Sequence, residues 1–364
     1  TAYAAVDLLR TGDFAPYLFR THDYGKTWTR ITDGMPVGQP GGSSTRVIRE
    51  DPKRKGLLFA GTESGMHVSF DDGDHWQSLQ LNLPVTSYRD IAFKGNDLIV
   101  GTYGRGIWIL DDYAVMRQMT PAIGDEPVHL FAPDPSVRIR RNVNDNTPFP
   151  PEVPHAPNAP DGVIIHYSLA RKPAGEIAID VLDSTGAVVR HLSSGPAAPV
   201  KEAARPPHPN FWVAEPFALP ASVGLNRTNW DLRFDAPPAF SHSFEINANP
   251  GLTPASPEGA LAAPGTYTIR LTVDGKSYTR RATVTNDPRS PATLADVRAQ
   301  VALARKVQDG MRTAWVGYQQ VAAVRAALVA AADTTVPGVA AAVTSLRAKL
   351  DTVGGNAEGG RGFG

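Results

Sequence analysis

Along the first third of the chain, apolar residues recur in short runs, each closed by Gly, Pro or Asp. Residues 45–50 (TRVIRE), 57–62 (LLFAGT), 65–70 (GMHVSF) and 75–79 (HWQSL) are four such runs in succession. Their length and turn punctuation predict short antiparallel strands. The order begins again with RDIAF at 89–93, DLIVGT at 97–102 and GIWIL at 106–110. "GTESGMHVSFDD" and "GTYGRGIWILDD" align with one inserted residue at an offset of about 40, the period of a four-stranded propeller blade. YLFRT and WTRI, near the start, read as the last half of an earlier unit. About two and a half blades are therefore expected, fewer than the four to eight with which a propeller closes.

The pattern then changes. Residues 119–161 are rich in Pro, Asn and Asp and read as a surface linker. Within 162–287 strands return: VIIHYSL, EIAIDVLD, AVVRHL, TNWDLRF, TYTIRLTVD and KSYTRRATVT. "DSTGAV" and "VDGKSY" read as hairpin turns with Gly where a positive φ is wanted. Strands at this spacing predict a β-sandwich of immunoglobulin or fibronectin type. Across 288–353 the period becomes helical: Leu294, Val297, Val301, Met311, Trp315 and Tyr318 follow a Thr293/Asp296 capping box, and Val339, Val343, Leu346, Leu350 and Val353 stand in heptad order. A helical hairpin is expected there, and a disordered Gly-rich tail over 354–364. The fold class is mainly β: a partial β-propeller over 1–118, a sandwich, then a C-terminal α-helical hairpin.

Composition narrows the chemistry. Acidic and basic side chains balance at 36 each, which argues against a nucleic-acid partner. The absence of cysteine excludes disulfides, thiolate metal sites and a cysteine nucleophile. No apolar run reaches the roughly 20 residues of a membrane span. The 9 histidines lack metal-ligand spacing, and "NVNDNTPF" at 142–149 lacks the glycine and terminal Glu of a calcium loop, so no metal is expected. Neither a phosphate-cradling Gly loop nor a G-x-S-x-G turn is present, so no cofactor or serine nucleophile is expected either. "NRT" at 226–228 is a glycosylation acceptor only in a eukaryotic product. Because the chain begins with Thr1, it reads as a mature or truncated form.

Residues 21–28 (THDYGKTW) and 69–76 (SFDDGDHW) repeat one pattern forty-eight positions apart. Asp can accept bonds from backbone amides just ahead of it, Gly can turn the chain with a positive φ, the Ser or Thr hydroxyl adds a local bond, and Trp returns into the sheet. Thr21, Asp23, Gly25, Thr27 and Trp28 fill the pattern; Ser69, Asp71, Gly73 and Trp76 fill it with His75 in place of Thr. It resembles the Asp-box, or BNR repeat, of sialidases, sortilin-type (Vps10) receptors and some glycosidases. The ordered set of segments over about residues 1–290 resembles the C-terminal part of bacterial secreted BNR proteins labelled glycosyl hydrolases. That resemblance implies a structural role for the box, a secreted, periplasmic or cell-surface location, and further blades outside this chain.

No convergent pair of carboxylates and no triad of arginines is legible, so no catalytic residue is assigned. Tyr103 and Arg105, flanked by glycines at a strand end, are the candidate ligand contacts, since a ring beside a guanidinium suits a sugar or a carboxylate. The function expected is binding or scaffolding on protein, peptide or glycan ligands; the alternative is a fragment of a glycoside hydrolase whose active site lies in missing blades. An open strand edge and an uncovered blade face call for those blades or a second chain, and for dimerisation or aggregation of the chain alone.

Overall fold

The computed structural model of the chain describes residues 1–37, 43–139, 152, 156, 158–196, 218–239, 243–244, 255–331 and 338–354. The fold is mainly β, with several antiparallel sheets, and ends in helices. The stretch 142–149 and, apart from Gly354, the tail expected over 354–364 lie outside the described residues.

Three sheets lead. The first runs β1 (Ala2–Ala5), β2 (Leu18–Thr21), β3 (Thr29–Arg30); the second runs β4 (Thr45–Glu50), β5 (Leu58–Thr62), β6 (Met66–Ser69), β7 (Gln77–Ser78). The third is β8 (Tyr88–Lys94), β9 (Asp97–Thr102), β10 (Ile107–Leu110). Apolar positions on alternate faces of the middle sheet feed two separate cores. Leu58 and Ala60 join Leu18, Ile31 and Trp76 toward the first sheet, while Phe59, Met66 and Val68 join Ile91, Leu98 and Val100 toward the third. Covered on both faces, β5 is buried along its whole length, which is why it reads as an unbroken apolar run. On the outer side of the third sheet the alternation meets solvent: Ile107 is 74% and Ile109 57% exposed.

A 3₁₀ segment, Tyr113–Arg117, follows the third sheet and is tied back to the second. Asp51 accepts bonds from the Tyr113 hydroxyl at 2.6 Å and from Arg117 Nε at 2.9 Å, and Arg54 donates to the carbonyls of Met116 and Met119. Burial opposes the charge on Asp51, but these bonds and the amides of Arg54 and Lys53 hold its carboxyl below the usual range.

After the short α1 (Pro121–Gly124) the chain builds a second unit. β11 (Val128–Leu130), β13 (Val163–Leu169) and β16 (Gly224–Trp230) form one sheet. The other, with strands from β12 (Ser136–Arg138), β14 (Ala178–Leu182), β15 (Val188–Ser193), β19 (Gly265–Val273) and β20 (Lys276–Asn286), has the order β12-β20-β19-β14-β15. β17 (Ser243–Phe244) and β18 (Ala255–Ser256) make a small hairpin of their own. The two larger sheets share one core, in which Ile165, Tyr167 and Trp230 meet Ile179, Ile269 and Leu271. The expected hairpin turns form, with Gly186 at φ 85° and Gly275 at φ 77°.

One expectation for this region changes. The stretch 119–161, expected as linker, supplies β11 and β12 to the second unit, β12 lying parallel to β20. Adjacent residues Leu130 and Phe131 even enter different cores, one on each side of the junction. Asn226 of "NRT" is buried in β16 with its amide bonded to the Ser222 and Gly224 carbonyls.

α2 (Leu294–Ala331) opens with the expected reciprocal bonds between Thr293 and Asp296. Its 38 residues span roughly 57 Å at 1.5 Å per residue. Its first half packs on the second unit through Arg305 over the Phe234 ring and Arg312 to the Asp235 carbonyl. Its second half packs on α3 (Val339–Gly354), where Arg325 pairs with Asp351 at 2.7 Å. Among the described residues no helix is long and apolar enough to cross a membrane.

Candidate functional site

The two repeated turns are built alike. In the first, Thr21 donates to Asp23 Oδ1 at 2.8 Å and accepts from the Gly25 amide at 2.9 Å, while Asp23 accepts from the Thr27 amide at 2.9 Å and hydroxyl at 2.7 Å. In the second, Ser69, Asp71 and Gly73 repeat those bonds, and His75 Nδ1 takes the place of the Thr27 hydroxyl at 2.7 Å from Asp71 Oδ2. Tyr24–Gly25 and Asp72–Gly73 both carry positive φ in succession, which suits glycine at the second position. The amide and hydroxyl of Thr27, with the hydroxyl of Thr21, hold the Asp23 carboxyl down at about 2. Both oxygens of each Asp are thus engaged within its own turn.

The tryptophans differ. Trp76 is 3% exposed and its indole N–H donates at 2.8 Å to the carbonyl of Ile31, the residue that follows β3 of the first sheet. Trp28, expected in a core as well, is 47% exposed, because no sheet among the described residues stands before the first to receive it.

A second constellation stands where the strands end. β4 and β8 each carry a register shift, between Thr45 and Val47 and between Tyr88 and Asp90. Such bulges re-aim the extra side chain, here Arg46 and Arg89. Two residues beyond the paired positions Ala5, Gly61 and Gly101 of the neighbouring strands stand Asp7, Glu63 and Tyr103. The result is a row running Asp7, Arg46, Glu63, Arg89, Tyr103. Arg46 pairs with both Asp7 and Glu63; Ser87 donates to Glu63 at 2.9 Å; Arg89 lies 4.0 Å from Glu63 and 5.0 Å from the centre of the Tyr103 ring. Burial opposes the charge on Asp7, but the Leu9 amide, Ser44 and Arg46 hold its carboxyl below the usual range.

The inner members of this row satisfy one another, whereas its outer end is open. Among the described residues the Arg89 guanidinium makes no hydrogen bond, its side chain is 43% exposed, and the stacked Tyr103 is 70% exposed. The main chain of Tyr103 is fixed, its amide on the Ser87 carbonyl and its carbonyl on the Thr86 hydroxyl. A guanidinium with unused donors, backed by a ring, can hold a carboxylate or the hydroxyls of a sugar. Of the two expected contacts, Tyr103 stands in this row and Arg105 lies outside it. Arg105 is exposed one turn away, where its carbonyl accepts the Trp108 indole N–H. Arg89 was missed because it reaches Tyr103 from the adjacent strand; the signal was present in the matching second position of TRVIRE and YRDIAF.

At the junction with the second unit, Asp112 Oδ2 lies 3.9 Å from His166 Nδ1. Burial, with Asp134 and Asp97 adding to it, pushes the Asp112 carboxyl up to about 6. Burial, then Arg227, pushes His166 down to about 4. Among the described residues no group of three or more His, Asp or Glu is placed to hold a metal ion.

No family model matches the chain. No curated protein matches it. Among solved structures it is similar to the extracellular domain of a putative hybrid two component system from B. thetaiotaomicron, with 10% sequence identity and a TM-score of 0.21 over 75% of this chain. The chain spans 29% of the length of that structure.

Proposed function

We propose that the chain is part of an extracytoplasmic binding or scaffolding protein of the BNR/sortilin-like class. In this reading residues 1–118 are Asp-box blades of an incomplete β-propeller, 162–287 together with β11 and β12 an immunoglobulin/fibronectin-like sandwich, and 288–353 a helical hairpin. The Asp-box residues hold turns, and ligands of protein, peptide or glycan type are taken at the ends of the strands. The observation that carries the binding reading is the exposed Arg89–Tyr103 stack with its unused guanidinium donors. The repeated turn geometry and the paired bulges support the blade assignment.

Isothermal titration with an oligogalacturonate, a neutral cello-oligosaccharide and a Glu-rich peptide tests it. A carboxylated ligand should bind, and Arg89→Ala and Tyr103→Ala should each weaken it about tenfold, or roughly 1.4 kcal/mol, with the melting temperature unchanged. Binding indifferent to both substitutions, or none with any of the three, would contradict the assignment.

A further inference from the structure

We infer that the outer edge of β10, with the apolar pocket beside it, is a docking site for an extended segment that carries a tryptophan. The inference rests on the way the molecule already joins its first two sheets and stands apart from the Arg89–Tyr103 site.

Trp76 seats itself among Leu18, Ile31, Met35, Leu58 and Ala60. Forty-eight positions beyond the first three stand Met66, Leu79 and Leu83, and forty beyond the last two stand Leu98 and Val100. All five, with Trp108 of β10, line one open pocket between the second and third sheets. The correspondence is geometric as well as numerical. The Ile31 amide donates to the Leu18 carbonyl at 2.9 Å and the Leu79 amide to that of Met66 at 2.8 Å; Met35 bonds back to Thr32 as Leu83 does to Gln80. The Leu79 backbone therefore stands where the Ile31 backbone presents its carbonyl to the Trp76 indole.

What differs is the third sheet. In the second, the chain turns through Ser69–Trp76 and returns along β6 as β7, with His67 opposite Ser78 and Val68 opposite Gln77. In the third, Leu110 is followed by Asp111, Asp112 and the Tyr113–Arg117 segment, which leaves the sheet. β10 is the sheet's edge, and no strand among the described residues pairs with its outer side. The pocket, walled on one side by Trp108 of β10, is thus an apolar seat next to backbone groups able to pair with an incoming strand. An apolar slot beside an open edge favours an extended peptide over a helix, and a buried ring with an N–H favours tryptophan, which needs both area and an acceptor.

The probe is a fluorescein-labelled peptide of residues 69–80 (SFDDGDHWQSLQ), the segment that fills the equivalent seat, titrated by anisotropy with the full chain. Saturable binding is expected, weakened about tenfold or more when the peptide's Trp is replaced by Ala. The same loss is expected when the chain carries Val100→Phe, which fills the pocket, or Leu81→Arg, on an exposed rim side chain that spares the fold should the first variant not fold. Binding absent into the millimolar range, or equal for the Ala peptide, or untouched by the Leu81 variant, overturns the proposal. So does free indole competing as well as the peptide, which would make the pocket a small-molecule site, and so does a dimer of the chain that the peptide does not dissociate.

Discussion

Asp112 carries a charge that its surroundings disfavour. With its side chain 13% exposed and its carboxyl held up at about 6, the protonated form is the one the fold prefers. The stability it lends is complete below the unfolded value near 3.9 and is lost as pH rises through about 6. Asp112→Asn removes that loss, and Asn tolerates the left-handed φ of 52° found there. The variant should match the parent near pH 3.5 and exceed it by on the order of 2 kcal/mol at pH 8, measured by urea unfolding at several pH values. A gap independent of pH would mean that the carboxyl ionises freely. His166, held neutral down to about 4, acts in the opposite sense, so the difference between the two proteins isolates Asp112. At this scale the repeated turns were legible because each of their bonds closes within five residues. Arg89 was not, because its partner Tyr103 lies on a different strand and adjacency pointed to Arg105 instead.

Strands with strong apolar character and clear turn residues were readable element by element: TRVIRE, GMHVSF and DLIVGT fall within two residues of β4, β6 and β9. β11 and β12 were hidden, since three residues carry no period and their partners lie far along the chain, β12 pairing with β20 some 150 positions later. The sheets meet at glycines whose roles differ by position. A Cβ on Gly61 would stand 2.8 Å from Tyr88 of the next sheet, whereas on Gly101, its counterpart in the third sheet, it would meet only a carbonyl at 3.8 Å. Gly61→Ala should therefore destabilise the leading sheets by about 1–3 kcal/mol through overpacking. Gly101→Ala should cost less than about 0.5 kcal/mol, as read from urea midpoints. Equal losses would show that strand propensity, not the sheet junction, sets the requirement.

For the whole molecule, the two leading cores lie on the two faces of the middle sheet, and adjacent Leu130 and Phe131 join the second of them to the core of the second unit. The mainly-β class and the helical end followed from periodicity alone. The packing order did not, because which face of a sheet is covered depends on neighbours that no local pattern encodes. Trp28 and Trp76 make the point: the same residue in the same turn is half-exposed in one sheet and buried in the next. The claim that the second sheet locks onto the first through Trp76 is tested most directly by urea unfolding of Trp28→Ala and Trp76→Ala, followed by far-UV circular dichroism. Trp76→Ala should lose about 3–5 kcal/mol and Trp28→Ala less than about 1 kcal/mol. Comparable losses at the two positions would contradict it.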